Sequence, residues 1–275
     1  MNGSTLVSTG ELAANLAKWR VFDCRYDLAK PDLGEQQYRE GHIQGALYAH
    51  LERDLSGKKT GRNGRHPLPD PQDFEKWLEK TGLTPKDQVV CYDAGPGSMA
   101  ARLWWMLRWV GHDRVAVLDG GLAKWTREGR PVTVDVPIFT PFNYPLKVRK
   151  DLALDIRAVE QSKSLLLDAR APARYRGEQE PIDPVAGRIP GARNRFNMDN
   201  VSAQGTFKPA EELKKDFESV LQGKSPSEVV HYCGSGVSAC HNLLAMEVAG
   251  LKGGKLYAGS WSEWSADRTR PQEKG

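Results

Sequence analysis

Short branched and apolar runs punctuate this chain: Val21-Phe22-Asp23-Cys24-Arg25, Val89-Val90-Cys91-Tyr92-Asp93, Leu166-Leu167-Asp168-Ala169-Arg170 and Val229-Val230-His231-Tyr232-Cys233. Each is too short for a helix and runs into polar residues or glycine, the pattern of a buried strand. Between the strands lie stretches with helical character, from Pro71 to Lys80, Gly97 to Val110, Pro209 to Val220 and Ser238 to Ala249. A shorter helix is expected from a Thr9 cap through Lys18, with Glu11 in its first turn. After the last strand, Val237, Cys240, Leu244 and Val248 recur at helical spacing. Strands alternating with helices predict an α/β fold around mainly parallel sheets, with ligands at the carboxyl ends of the strands.

The pattern is written twice. Val21 to Arg25 matches Leu166 to Arg170, and Gly41-His42-Ile43-Gln44-Gly45-Ala46 matches Gly187-Arg188-Ile189-Pro190-Gly191-Ala192. Val89 to Asp93 matches Val229 to Cys233, and Gly120-Gly121-Leu122-Ala123-Lys124-Trp125 matches Gly259-Ser260-Trp261-Ser262-Glu263-Trp264. Collinear matches at an offset of about 140 to 146 residues predict a duplicated domain. The expected division is a first domain over 1–130, a proline-rich linker over 131–150 and a second domain over 151–275.

Composition narrows the function classes. A charged fraction of 27% with a net charge of only +4 leaves no basic arm for nucleic acid. No apolar run approaches the length of a membrane span, and the amino terminus lacks the basic and apolar regions of a leader, so a cytoplasmic protein is expected. The four cysteines, Cys24, Cys91, Cys233 and Cys240, show neither a disulfide framework nor metal-site spacing. Cys24, Cys91 and Cys240 read as core residues; neither a metal nor an organic cofactor is expected.

Cys233 differs from the other three. It ends a strand, is followed by Gly234-Ser235-Gly236, and stands before a helix. Inward-pointing N–H groups and the positive end of a helix stabilise a thiolate at such a turn. The first copy has Asp93 at this position and so has no thiol for the same chemistry. A cysteine phosphatase would need an arginine six residues after the cysteine, where Ala239 stands.

The loop Cys233-Gly234-Ser235-Gly236-Val237-Ser238-Ala239 resembles that of the rhodanese-type sulfurtransferases, in their mercaptopyruvate branch. The doubled layout, the Gly-His/Arg-Ile-x-Gly-Ala element and the Gly-x...Trp element extend the resemblance over nearly the whole chain. It implies two tandem rhodanese-like domains and a persulfide on Cys233, cradled by the backbone of Gly234, Gly236, Val237 and Ser238. The neutral Gly234-Ser235 pair implies 3-mercaptopyruvate as donor, with thiosulfate as the alternative and a non-catalytic sulfur carrier as a third reading. The acceptor would be a thiol, cyanide or thioredoxin. By the same resemblance Arg174, in Arg174-Tyr175-Arg176-Gly177, binds the donor carboxylate. The second family arginine is missing from Glu180-Pro181-Ile182-Asp183-Pro184, and Arg188 is the candidate to replace it. His66, before Pro67-Leu68-Pro69, would act with Ser235 and Glu52 as a proton relay from the first domain.

Overall fold

The computed structural model describes residues 5–275 and divides them into two compact units. Residues 1–4, which begin the stretch read as lacking a leader, lie outside the described residues. Unit 1 comprises residues up to Ser56, Pro69–Arg149 and Ala203–Phe207; unit 2 comprises Gly57–Leu68, Lys150–Ser202 and Lys208–Gly275. Each unit is thus completed by a segment from the other half of the chain. The stretch 131–149 belongs to unit 1 and contains neither helix nor strand, only a bridge from Thr133 to His42.

In unit 1 the elements run β1 (Leu6–Val7), α1 (Thr9–Asn15), β2 (Arg20–Asp23), α2 (Leu33–Glu40), β3 (Ala46–Tyr48), α3 (Pro71–Lys80), β4 (Val89–Tyr92), α4 (Ala100–Trp109), β5 (Val115–Leu118) and α5 (Gly121–Arg127). The strands form one parallel sheet in the order β1-β5-β4-β2-β3. Helix α1 is capped by Ser8 rather than Thr9, through a reciprocal Ser8–Glu11 box, and ends at Asn15.

Unit 2 repeats the plan with α6 (Ile156–Gln161), β6 (Leu165–Asp168), α7 (Pro172–Tyr175), β7 (Arg193–Asn194), α8 (Ala210–Leu221), β8 (Val229–Tyr232), α9 (Ser238–Val248), β9 (Lys255–Leu256) and α10 (Ser260–Trp264). Its strands are parallel in the order β7-β6-β8-β9. Helix α9 is buried all round from Ala239 to Met246, not on one stripe alone, and so packs as a core helix against β8. Its polar members are satisfied internally: Asn200 Nδ2 donates to Asn242 Oδ1 at 2.7 Å. Cys24, Cys91 and Cys240 are buried and not in a disulfide among the described residues, and Cys240 Sγ donates to the Gly236 carbonyl at 3.3 Å.

The sequence repeats have a physical basis. In unit 1, Arg25 grips the buried Asp23 carboxylate and donates to the Gly41 carbonyl at 2.7 Å, while Tyr92 donates to Asp23 at 2.7 Å and accepts from Ile43 N–H at 3.1 Å. In unit 2, Arg170, Asp168, Gly187, Ile189 and Tyr232 build the same network. Arg170 is therefore a structural residue, since removing one member of such a buried network strands the charge of another. Among the described residues, no helix is long and apolar enough to cross a membrane.

Candidate active site

Strand β8 ends at Tyr232, and the next five residues fold back before α9 begins. Gly236 makes the fold possible, with φ at +77° and its Cα so close to Ala258 that a side chain would meet that residue's carbonyl oxygen at 2.4 Å. In this position Gly236 N–H donates to Cys233 Sγ at 3.2 Å. Cys233 N–H donates to Ser260 Oγ at 3.1 Å, and the Cys233 and Gly234 carbonyls accept from Trp261 and Ser262 N–H, each at 3.0 Å. The start of α10 therefore holds the loop from behind.

Unit 1 shows what becomes of this loop when the thiol is absent. The Asp93 carboxylate accepts from the N–H groups of Gly95, Gly97, Met99 and Ala100 at 2.8 to 3.2 Å, so the loop closes on its own anion. The support behind it is the same, with Leu122 N–H on the Asp93 carbonyl at 2.9 Å. Its residue in the left-handed region is Gly121 at φ +55°, where unit 2 has Ser260 at φ +54°. A serine is unfavourable there, but its Oγ is what binds Cys233 N–H.

His66 lies in the segment that belongs to unit 2, not with the first half of the chain. Its Nδ1 is 2.8 Å from Ser235 Oγ, with both side chains buried. The segment is anchored by Arg65 N–H, which donates to Ser262 Oγ at 3.0 Å. His66 and Ser235 thus meet at the Cys233 loop. Glu52 belongs to unit 1, where its side chain bonds Tyr26; burial first, then the Glu52 charge, push the Tyr26 phenol up to about 12.

Two guanidinium groups stand over Gly234. A side-chain carbon built on that glycine would lie 2.7 Å from Arg65 Nη2 and 3.5 Å from Arg174 Nη1 and Nη2. Arg174 is aimed by Glu180, which accepts from its Nη2 at 2.6 Å and its Nε at 3.2 Å. Burial opposes the ionised form of Glu180, yet Arg174 and the N–H groups of Asp183 and Ile182 hold its carboxyl below the ordinary range. Asp183 accepts from Arg65 Nη1 through one oxygen and from Arg174 Nη2 at 3.2 Å through the other. Burial pushes the Asp183 carboxyl above the ordinary range, against the pull of Arg65 and Arg174.

The structure corrects one expectation. Arg188 is no spare cation for the donor: it pairs with Glu273, donates to the Gly275 carbonyl at 2.6 Å and lies over the Tyr175 ring at 4.4 Å. Its counterpart His42 stacks on Tyr38 at 4.0 Å, so the position packs an aromatic face in both copies. Of the loop N–H groups, Gly236's bonds Sγ; Val237 stands at the start of α9 and Ser238 is its first residue. Arg65, Glu180 and Ser260 were given no role by the sequence, whereas Asp183 entered as the negative charge in the stretch from which the second family arginine is missing. Arg65 could have been noticed as a cation next to His66 in a polar loop, and Ser260 by its match with a glycine.

The family description "Rhodanese-like domain" matches residues 8–128 and 153–267. The chain belongs to the rhodanese-like family. This rhodanese-like chain is 46% identical over 283 residues to a Pseudomonas aeruginosa protein named "Probable 3-mercaptopyruvate sulfurtransferase", with all of both chains covered. It is 34% identical to the Arabidopsis thaliana thiosulfate/3-mercaptopyruvate sulfurtransferase 2, over 97% of this chain and 85% of that one. Among solved structures it is similar to the 3-mercaptopyruvate sulfurtransferase from Leishmania major, with a TM-score of 0.87 and 31% identity over 96% of this chain and 74% of that one. The tandem rhodanese architecture accounts for both parallel sheets.

Proposed function

We propose that this chain is a sulfurtransferase that takes sulfane sulfur from 3-mercaptopyruvate through a persulfide on Cys233, releases pyruvate, and passes the sulfur to a thiophilic acceptor. The observation that carries the reading is the meeting of Cys233, the Ser235–His66 pair and the Arg65 and Arg174 guanidinium groups at one loop of unit 2. The Cys233 thiolate attacks the donor sulfur, a sulfur–sulfur bond forms, and the carbon–sulfur electron pair leaves as the enolate of pyruvate. Ser235, coupled to His66, supplies the proton that turns the enolate into pyruvate. Arg174 and Arg65 hold the donor carboxylate through N–H groups that point at Gly234. The outer sulfur of the persulfide lies among the N–H groups of the loop. A thiol, cyanide or a reduced dithiol protein such as thioredoxin then removes it.

Steady-state rates with both donors test the reading. Specificity for mercaptopyruvate should exceed that for thiosulfate by at least about tenfold, because a second donor charge is held off by the buried carboxylates around the clamp. The Arg174→Ala variant should raise the Michaelis constant for the keto acid, since losing a charge-assisted bond to a carboxylate costs roughly 1.5 to 3 kcal/mol. Equal or higher specificity for thiosulfate would assign the other donor.

His66→Ala should lower turnover with mercaptopyruvate by about ten- to a thousandfold if proton transfer to the leaving group limits the rate. Turnover unchanged from about pH 6 to 9 would leave His66 as a packing residue.

A further inference from the structure

Asp183 takes no bond-making or proton-transfer step in the chemistry above, yet it takes two hydrogen bonds from the groups that would bind the donor. Its side chain is 3% exposed, beside 27% for Arg65 and 18% for Arg174. Its backbone N–H is fixed by Glu180 Oε1 at 3.0 Å, so the carboxylate is built into the wall rather than free to swing in from a mobile loop. One oxygen accepts from Arg65 and the other from Arg174, residues from segments far apart in the chain. It is a carboxylate in contact with two guanidinium groups, as a donor carboxylate would be.

We infer that Asp183 is an internal counter-charge of the donor clamp and a specificity-determining residue, which cancels the net positive charge of the site so that a monoanionic keto acid is accepted and a dianion is penalised. The inference rests on the sulfurtransferase reading. The charges around it pair off: Arg170 with Asp168 and Glu180, Arg174 with Glu180 and Asp183, Arg65 with Asp183. Three arginines meet three carboxylates and no net charge remains. Arg174 Nη1 and Arg65 Nη2 nevertheless have no hydrogen-bond partner among the described residues and reach towards Gly234. The clamp therefore offers a carboxylate directional N–H groups without a surplus field. A donor with one charge loses a modest factor by this, and one with two loses about the square of that factor, since the Coulomb energy scales with its charge.

The test is the ratio of kcat/KM for thiosulfate to that for mercaptopyruvate, measured on the same preparation so that the folded fraction cancels. Asp183→Asn removes the charge and keeps an acceptor oxygen. It should raise kcat/KM by about three- to tenfold for mercaptopyruvate and about ten- to a hundredfold for thiosulfate, so that the ratio rises at least about threefold. Asp183→Glu, which keeps the charge, should keep the wild-type ratio. Asp183→Ser carries the first arm if the asparagine variant does not fold. A residue that merely holds the arginines in place would lower both values together, and a ratio unchanged or lowered in the neutral variants overturns the inference. Failure of the sulfurtransferase reading looks different: the wild-type protein then turns over neither donor, and the inference falls with it.

Discussion

Cys233→Ser should lower turnover with either donor by at least about a thousandfold while unit 2 stays folded. Cys233 is 3% exposed and its Sγ accepts from Gly236 N–H, a bond that a serine oxygen can also accept. The volume changes little, and the bonds from Cys233 N–H to Ser260 and from Trp261 N–H to the Cys233 carbonyl involve only backbone groups of residue 233. What is lost is chemistry: a hydroxyl ionises far less readily than a thiol, and oxygen cannot store a sulfane sulfur. The check is kcat beside a thermal unfolding curve. An unshifted midpoint with the rate lost supports the assignment; substantial turnover by the serine variant would move the nucleophile elsewhere.

Gly236→Ala should be nearly as damaging, with activity down by at least about a hundredfold, for a reason of shape. A φ of +77° costs an L-residue roughly 1 to 2 kcal/mol, and the added carbon would stand 2.4 Å from the Ala258 carbonyl oxygen. Backbone cannot yield as the end of a long side chain can, so the loop moves and Gly236 N–H leaves Cys233 Sγ. Gly250→Ala is the control: φ is also +77°, but nothing lies within 4 Å of the added carbon. It should lose stability while retaining turnover. If the two variants behaved alike, the strain of φ and not the collision would govern the loop.

The legible parts of the molecule were those encoded by local pattern. The duplicated strands, the turn at Cys233 and the helix from Ser238 follow from short-range periodicity and glycine placement, and the repeats trace to one buried Asp-Arg-Tyr network built twice. The Asp93 loop is legible only as a missing thiol; that its carboxylate fills the cradle is a matter of three-dimensional folding. Arg65 stayed hidden because its partner Asp183 is 118 residues away, and no local pattern couples them. The pairing of Arg188 is hidden for the same reason, since Glu273 lies 85 residues further on. The exchange of Gly57–Leu68 for Ala203–Phe207 between the units is likewise a matter of tertiary packing. In unit 1 it places Phe207 N–H on Asp119 at 2.8 Å, and in unit 2 it places His66 on Ser235.

The central claim is that sulfur rests on Cys233. Intact mass spectrometry after incubation with mercaptopyruvate, with no acceptor present, tests it most directly. One sulfur atom, about 32 Da, should be added per chain, removed by cyanide or a thiol, and mapped by peptide analysis to Cys233. The Cys233→Ser protein should take up none. Sulfur found on Cys24, Cys91 or Cys240, or turnover without any adduct in the wild type, would contradict the account.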